Sequence, residues 1–183
     1  MINRLKFIGG SILMALLCLA PAQASKKAAS AKEAPMNISS IIDTVIPHIV
    51  NNKGEKIDYK EIKEKPYVMY YFSAAWCPPC RKFTPVLVDF YNKNGGKENF
   101  EIVFVSADRS AEKMKAYMTD KKMPWVAIPP KSRGKTDLKK ISPRGIPHLV
   151  LVDKKGNIIA KGQGSVLKKL SSLLPKKDKE SKS

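Results

Sequence analysis

Residues 67–92 read YVMYYFSAAWCPPCRKFTPVLVDFYN, and this stretch decides the fold. Its first part, Tyr67–Ser73, is apolar and aromatic without a charge, which is typical of a strand buried on both faces. A helical pattern begins at Pro78, because proline is well tolerated in the first turn of a helix. Two cysteines, Cys77 and Cys80, therefore lie where a buried strand passes into a helix.

This position of the cysteine pair favours reversible dithiol–disulfide chemistry. Side chains three residues apart lie on one face of a helix, so the two sulfurs can meet. The free N–H groups and the dipole at a helix N-terminus favour a thiolate over a thiol. The sequence thus predicts Cys77 as the nucleophile and Cys80, one turn deeper, as the thiol that resolves a mixed disulfide.

Two other uses of the pair have to be weighed. A C-x-x-C motif is also half of many zinc sites, and His48 and His148 are the histidines that could complete one, but there is no second C-x-x-C and no closely spaced histidine pair. A purely structural disulfide would close only a small loop and would contribute little through chain entropy. We therefore predict a redox pair that needs no metal and no organic cofactor.

The N-terminal segment, residues 1–24, has the pattern of a secretory signal peptide. Arg4 and Lys6 precede an uncharged apolar run at residues 7–20, and Ala22-Gln23-Ala24 is a small-residue cleavage site. The run is shorter than the ~20 residues that a membrane-spanning helix needs. The sequence predicts an exported protein, periplasmic or extracellular.

Cleavage of this segment changes the cysteine count. It removes Cys18 and leaves Cys77 and Cys80 as the two cysteines of the mature chain. An exported protein with one C-x-x-C pair and no other cysteine has no wider disulfide framework to build. The pair is therefore predicted to serve chemistry.

The rest of the chain divides into three predicted parts: a flexible linker at 25–36, one folded domain at 37–174 and a disordered basic tail at 175–183. The formal net charge is +18. Such a charge favours an anionic surface or an acidic partner, although lysines scattered over many loops equally fit a well-solvated surface. No nucleic-acid-binding motif accompanies the charge, so we predict no specific nucleic-acid partner.

Beyond the cysteine pair, strands and helices alternate along the chain. Further elements are predicted as follows: a small hairpin at 49–57, a strand at 100–106, a helix at 110–120, a short helix at 136–141, a hairpin at 149–160 and a last helix at 166–174. This order predicts an α/β fold, with a central mixed β-sheet flanked by helices and a C-terminal β-hairpin and helix.

Four stretches carry a resemblance to a known family. They are residues 71–85 (YFSAAWCPPCRKFTP), 104–108 (FVSAD), 123–125 (MPW) and 145–147 (GIP). Together they resemble the thioredoxin superfamily and, within it, the tryparedoxin and nucleoredoxin branch. With its export signal, the chain is also similar to bacterial thiol-disulfide proteins of the cytochrome c maturation type. The resemblance covers residues 49–174.

The resemblance implies the make-up of the site. Ile146-Pro147 would be a cis peptide beside the cysteines, leaving the Ile146 backbone open to pair with an extended substrate. The implied substrate-binding residues are Trp76, Pro78, Pro79, Ile146 and Pro147. A thioredoxin-like domain further implies protein disulfides or dithiols as substrates, a membrane or periplasmic electron donor, and a monomer.

Two positions depart from the wider superfamily. Tyr71 stands where many thioredoxins carry a buried Asp, and Phe83 stands where exported cytochrome-maturation reductases often carry Glu. The sequence thus offers no carboxylate as the proton acceptor for Cys80, and that role is left unassigned.

The function predicted from the sequence is an exported thiol-disulfide oxidoreductase that reduces protein disulfides. One alternative is an oxidase or isomerase, because the residues between the cysteines tune the reduction potential over a wide range. Another is a non-catalytic binding module, in which the disulfide is structural and the basic surface docks an anionic partner. The sequence leaves both alternatives open.

Overall fold

The computed structural model describes residues 39–175. The predicted signal peptide at 1–24, the predicted linker at 25–36 and the predicted tail from residue 176 onward lie outside the described residues. Those predictions stay predictions. No helix within residues 39–175 is long and apolar enough to cross a membrane.

A five-stranded mixed sheet forms the centre of the fold. Its strands are β1 (Tyr67–Ser73), β2 (Phe100–Ser106), β3 (Val126–Ile128), β4 (His148–Asp153) and β5 (Ile158–Lys161). The spatial order is β3-β2-β1-β4-β5. Strands β1, β2 and β3 are parallel, whereas β4 is antiparallel to both β1 and β5. The central strands are covered on both faces, which explains their continuous apolar runs.

Helices and short 3-10 turns cover the two faces of the sheet. The helices are α1 (Ser39–Val45), α2 (Pro78–Lys93), α3 (Ala111–Asp120) and α4 (Gln163–Leu173), and the 3-10 turns are Ile46–His48, Lys60–Glu64, Pro130–Lys135 and Asp137–Lys140. Met69 and Tyr71 of β1 pack in one core cluster with residues of α2, α3 and α4. Val68 and Tyr70 pack in the other cluster, with α1 and two of the 3-10 turns. This alternation is the two-residue period of a strand.

The structure confirms the predicted fold class and its central elements. Strands β1 and β2 have the predicted bounds. Helix α3 begins after Ser110, whose side chain accepts a hydrogen bond from the Lys113 N–H at 3.3 Å, as expected for an N-cap serine. The C-terminal hairpin and helix are also present as β4, β5 and α4.

The predicted small hairpin at 49–57 is present, as an antiparallel bridge between Val50 and Lys56 rather than as two full strands. The Asn51 N–H donates to the Glu55 carbonyl at 2.9 Å, and the Ile57 N–H donates to the Ile49 carbonyl at 3.3 Å. Val50 also exchanges both of its backbone hydrogen bonds with Ala127 of β3, each at 2.9 Å. The hairpin therefore closes on itself and also extends the sheet beyond β3, which the sequence did not reveal.

Two helical predictions differ in detail. Helix α4 begins at Gln163, ahead of the predicted residue 166. Gly162 precedes it with φ of +87°, a conformation that glycine adopts readily and that turns the chain from β5 into the helix. The short helix predicted at 136–141 is a 3-10 turn, Asp137–Lys140, which follows the Thr136 cap.

Candidate active site

Three loops meet at one end of the sheet, where β1 and β2 end and β4 begins. In the register, Ser73 at the end of β1 pairs with Ser106 at the end of β2, and Phe72 pairs with His148 at the start of β4. The loops after β1, after β2 and before β4 consequently lie side by side. The first carries the cysteine pair, and the third carries residues 145–147.

The cysteine pair forms a disulfide at the start of α2, with the two Cα atoms 5.2 Å apart. Cys77 is the N-cap of α2, and its Sγ accepts a hydrogen bond from the Cys80 N–H at 3.3 Å. Both residues are buried and form a small apolar cluster with Ala74. The N–H donor and the helix N-terminus both favour negative charge on the Cys77 sulfur, which is the condition that thiolate chemistry requires.

The loop before β4 contacts the disulfide through its backbone. Ile146-Pro147 is a cis peptide bond, which confirms that part of the resemblance. The carbonyl oxygen of Ile146 lies 3.8 Å from the Cys77 Sγ. The carbonyl oxygen of Pro147 accepts a hydrogen bond from the Gln163 side chain at 2.8 Å. The start of α4 thus holds the loop against the disulfide, and Gln163 is a site residue that the sequence did not reveal.

The residues around the disulfide form an exposed rim. Trp76 is 62% exposed, although its indole N–H donates a hydrogen bond to the Ala107 carbonyl at 3.1 Å. Pro78 and Pro79 are also exposed at the first turn of α2. The structure therefore brings the whole predicted set of Trp76, Pro78, Pro79, Ile146 and Pro147 to the edge that carries the disulfide.

Asp108 holds the loop that leads into the site. It is buried, and its two carboxyl oxygens accept hydrogen bonds from the Ala75 N–H and the Ser106 hydroxyl, each at 2.9 Å. Asp108 also donates its own backbone N–H to the Ser106 hydroxyl at 3.1 Å. The loops after β1 and β2 are thereby joined next to Trp76. The sequence offered only a weak signal for this role, namely an Asp shortly after a buried strand.

A chain of buried hydroxyl groups lies beneath Cys80. The Thr84 hydroxyl donates to the Cys80 carbonyl at 2.9 Å and lies 2.8 Å from the Tyr71 hydroxyl and 2.6 Å from the Tyr117 hydroxyl. A threonine hydroxyl has one proton and two acceptor positions, so both tyrosines donate to it. Burial is the main cause that raises the pKa of Tyr71, so this side chain stays a neutral donor. Tyr71 thus helps to fix the first turn of α2.

The remaining candidates lie apart from the disulfide chemistry. Among residues 39–175, no group of three or more His, Cys, Asp or Glu side chains could hold a metal ion. His148 begins β4, and burial followed by the charge of Lys161 lowers its pKa. His48 is half-buried in the 3-10 turn Ile46–His48. Trp125 is buried in the core beside Tyr71.

Comparison with known proteins agrees with this geometry. A family model described as thioredoxin-like matches residues 65–158. A probable nucleoredoxin 1 of Arabidopsis thaliana is 40% identical over 142 residues, which are 73% of this chain and 24% of that protein. Tryparedoxin II of C. fasciculata is 34% identical, with a TM-score of 0.61 over 74% of this chain and 91% of that one. A structure of tryparedoxin II complexed with glutathionylspermidine gives 34% identity and a TM-score of 0.59 over 74% and 94% of the two chains.

The mixed sheet and the disulfide at the start of α2 define a thioredoxin-like protein. The chain belongs to the thioredoxin-like family, and its relatives within that family are nucleoredoxins and tryparedoxins. Those relatives are thiol-disulfide oxidoreductases. The chain spans about a quarter of the length of the Arabidopsis nucleoredoxin that it matches.

Proposed function

We propose that this chain is an exported thiol-disulfide oxidoreductase that reduces disulfide bonds of other proteins. The observation that carries the proposal is the setting of Cys77. Its sulfur caps α2, accepts the Cys80 N–H and lies beside the cis peptide of Ile146. In the reduced protein, one sulfur is favoured as a thiolate and the second lies within bonding reach, which is what two-step disulfide exchange requires.

The reaction takes place in two exchanges. The Cys77 thiolate attacks one sulfur of the partner's disulfide, the partner's S–S bond breaks, and its other sulfur leaves as a thiolate that takes a proton from water. Cys80 then loses its proton to water and attacks the Cys77 sulfur, which releases the partner's second thiol. Two electrons pass to the partner, and the chain is left with the Cys77–Cys80 disulfide.

The exposed rim would receive the partner. An extended segment that carries the target disulfide can hydrogen-bond to the Ile146 backbone, because that loop lies against the Cys77 sulfur. Trp76 offers an exposed indole, held by Ala107, against which the segment can pack. We assign substrate binding to Trp76, Pro78, Pro79, Ile146 and Pro147 on this basis.

Export and the reducing direction rest on separate grounds. Export rests on the signal-peptide pattern of residues 1–24. The reducing direction is taken from the resemblance stated above. A reductase outside the cytosol needs a dithiol donor in the membrane or periplasm to return its disulfide to the dithiol, and such a donor is the second proposed partner. Protein disulfides are the proposed substrates. A low-molecular-weight thiol, with its disulfide, is the second class to test, because tryparedoxin II has been solved with glutathionylspermidine.

Trapping of mixed disulfides tests the assignment of the two cysteines. Cys80→Ser should accumulate covalent complexes with partner proteins in the exported fraction, since the resolving thiol is absent. Cys77→Ser, the matched control, should accumulate none. Complexes in equal amount from both variants would contradict the roles assigned here. The intact mass of the accumulated protein tests export in the same sample. Cleavage of the signal peptide after Ala24 would give the mass of a chain that begins at Ser25.

The reduction potential of the pair tests the direction. We expect a value close to that of thioredoxin, about −270 mV. A value of about −120 mV would instead mark an oxidant. A disulfide that resists reduction in the folded protein would overturn the enzyme and favour a binding module with a structural disulfide.

A further inference from the structure

An open groove lies directly beside the disulfide, on the side of Trp76. The loops after β1 and β2 and the first turn of α3 line it, through Ala75, Trp76, Ala107, Asp108, Arg109 and Lys113. The indole of Trp76 forms one wall and is held there by its hydrogen bond to Ala107. A partner segment that reaches the Cys77 sulfur past Trp76 would therefore pass along this groove.

The charge of the groove is positive. Asp108 is buried, and its two carboxyl oxygens accept hydrogen bonds from the Ala75 N–H and the Ser106 hydroxyl. Its carboxylate therefore faces the loop backbone. Arg109 and Lys113 are exposed. Neither forms an ion pair with another residue of 39–175, although six other lysines of that range do so elsewhere. The two exposed cations, which form no ion pair, thus outnumber the one buried carboxylate of the lining and face any segment that binds here.

Neighbouring residues add to this charge. Arg81 and Lys82 follow Cys80 on α2, Arg144 lies just before the cis peptide, and all three are exposed. The nearest exposed acidic residue in the chain is Glu112, whose pKa is lowered first by a hydrogen bond with Ser110. Glu112 does not line the groove. The end of the sheet that carries the disulfide is consequently basic on the start of α2, on the loop from β2 into α3 and on the loop before β4.

We propose that the groove selects partner disulfides flanked by Asp and Glu side chains, so that the substrates are acidic protein segments. This inference deepens the proposed function and rests on it. Unpaired surface cations raise the association rate of an acidic segment and lower that of a basic one, an effect that salt weakens. Selection is expected to appear in the rate of the first exchange, in which Cys77 attacks the partner.

Matched peptides test the proposal on the protein as purified from an exporting host. Two disulfide-bridged peptides of equal length carry either Glu or Lys beside the cystine. The reduced protein is mixed with each, and the second-order rate of oxidation is followed by the change in tryptophan fluorescence. We expect the Glu peptide to react about tenfold faster at low salt, with most of the difference gone in about 0.5 M salt.

Two charge-reversed proteins complete the test. Arg109→Glu with Lys113→Glu should lose or invert the preference, whereas Lys154→Glu with Lys155→Glu, at the opposite end of β4, makes the same change in net charge and should keep it. Equal rates for the two peptides in the unaltered protein would overturn the proposal, as would a preference that survives the groove reversal. Failure of both peptides to react at all would instead overturn the oxidoreductase itself.

Discussion

Strand β2 has a buried acidic side chain near each of its ends, and the two serve different purposes. Glu101, the second residue of β2, accepts hydrogen bonds from the hydroxyls of Tyr59 and Tyr91 at 2.7 and 3.0 Å and from the Ile102 N–H at 2.8 Å. Tyr59 precedes a 3-10 turn and Tyr91 belongs to α2. Glu101 therefore joins elements from both faces of the sheet, far from the disulfide.

Asp108 lies just beyond the other end of β2, and it joins loops rather than packed elements. Its partners, Ala75 and Ser106, flank the entry to Trp76 and Cys77. Both acids are satisfied by hydrogen bonds, as buried carboxyl groups must be. The two acids differ in the parts of the domain that they connect. Glu101 connects elements packed on the two faces of the sheet, whereas Asp108 connects the loops that position Trp76 and Cys77.

Surface charge differs between the same two ends. At the end near Glu101, a cavity is lined by Ile62, Val68 and Tyr70. Two of its three lysines form ion pairs, Lys63 with Asp43 and Lys154 with Glu64, and the third, Lys65, donates a hydrogen bond to the Lys97 carbonyl. At the disulfide end, Arg109 and Lys113 have no such partner within residues 39–175. At the Glu101 end, most of the lysine charge is thus balanced within the domain. At the disulfide end, Arg109 and Lys113 can interact with a bound partner.

Removal of the Glu101 carboxyl group should give the largest change in stability. Glu101→Ala leaves the buried Tyr91 hydroxyl, the buried Ile102 N–H and the half-buried Tyr59 hydroxyl without their acceptor, so we expect a loss of about 4 kcal/mol in the free energy of unfolding. Urea unfolding measures it, with Glu101→Gln as the milder control that keeps one oxygen. The rate of disulfide exchange should stay within about twofold of the parent, and a much larger fall would show that the two ends are coupled.

Removal of the Asp108 carboxyl group should have a smaller effect on stability and a larger one on reactivity. Asp108→Ala leaves the Ala75 N–H and the Ser106 hydroxyl without an acceptor, for an expected loss of about 3 kcal/mol. The loop before Cys77 would then be less well positioned, and the rate of exchange with a peptide disulfide should fall about tenfold. Asp108→Asn keeps one acceptor oxygen, so its stability and its exchange rate should lie between those of the parent and of Asp108→Ala. A variant that loses stability but keeps its full rate would remove the distinction between Asp108 and Glu101.

The sequence allowed the central elements and the reactive pair to be predicted because their signals are local. The uncharged run of β1, the Ser110 cap of α3 and the cysteine spacing are each contained within a few residues. The resemblance added the cis peptide of Ile146 and Pro147, which no local pattern would have supplied. Neighbouring residues were therefore enough to predict the central elements and the position of the cysteine pair at the start of α2.

The contacts that complete the site could not be predicted, because they join distant parts of the chain. The hydrogen bond between Ala75 and Asp108 spans 33 residues, as does that between Thr84 and Tyr117. The docking of the hairpin at 49–57 on the sheet has the same cause, since Val50 bonds to the distant Ala127 of β3. A side chain's neighbours across the sheet follow from the register, which the periodicity of a single strand does not contain.

Replacement of the Thr84 hydroxyl should lower the stability less than the changes at Glu101 and Asp108. It tests what the buried hydroxyl groups beneath Cys80 do. Thr84→Val preserves shape but removes the acceptor of the Tyr71 hydroxyl and leaves the Tyr117 hydroxyl with only the Ser73 hydroxyl at 3.5 Å, so we expect a loss of about 2 kcal/mol by urea unfolding. Thr84→Ser, which keeps the hydroxyl, should lose less than half of that. The rate of exchange at Cys77 should change by less than about threefold, because Thr84 bonds to the helix backbone and not to sulfur. A loss of rate above about tenfold would place Thr84 in proton transfer to or from Cys80.

The pH dependence of stability should show the smallest effect, and it tests how Glu101 is held. Burial raises the pKa of Glu101 above its usual 4.5, while the hydrogen bonds from Tyr59, Ile102 and Tyr91 and the charge of Lys65 act against that rise. An acid with a higher pKa in the folded state binds more protons when folded. The contribution of Glu101 to the free energy of unfolding is therefore fully present below the pKa that Glu101 has in the unfolded chain. It is lost as the pH rises through the pKa that Glu101 has in the folded protein. The free energy of unfolding, measured in urea from about pH 4.5 upward, should fall in the parent relative to Glu101→Gln. A difference that stays flat or rises with pH would mean that the hydrogen bonds outweigh burial and hold Glu101 as a stable carboxylate.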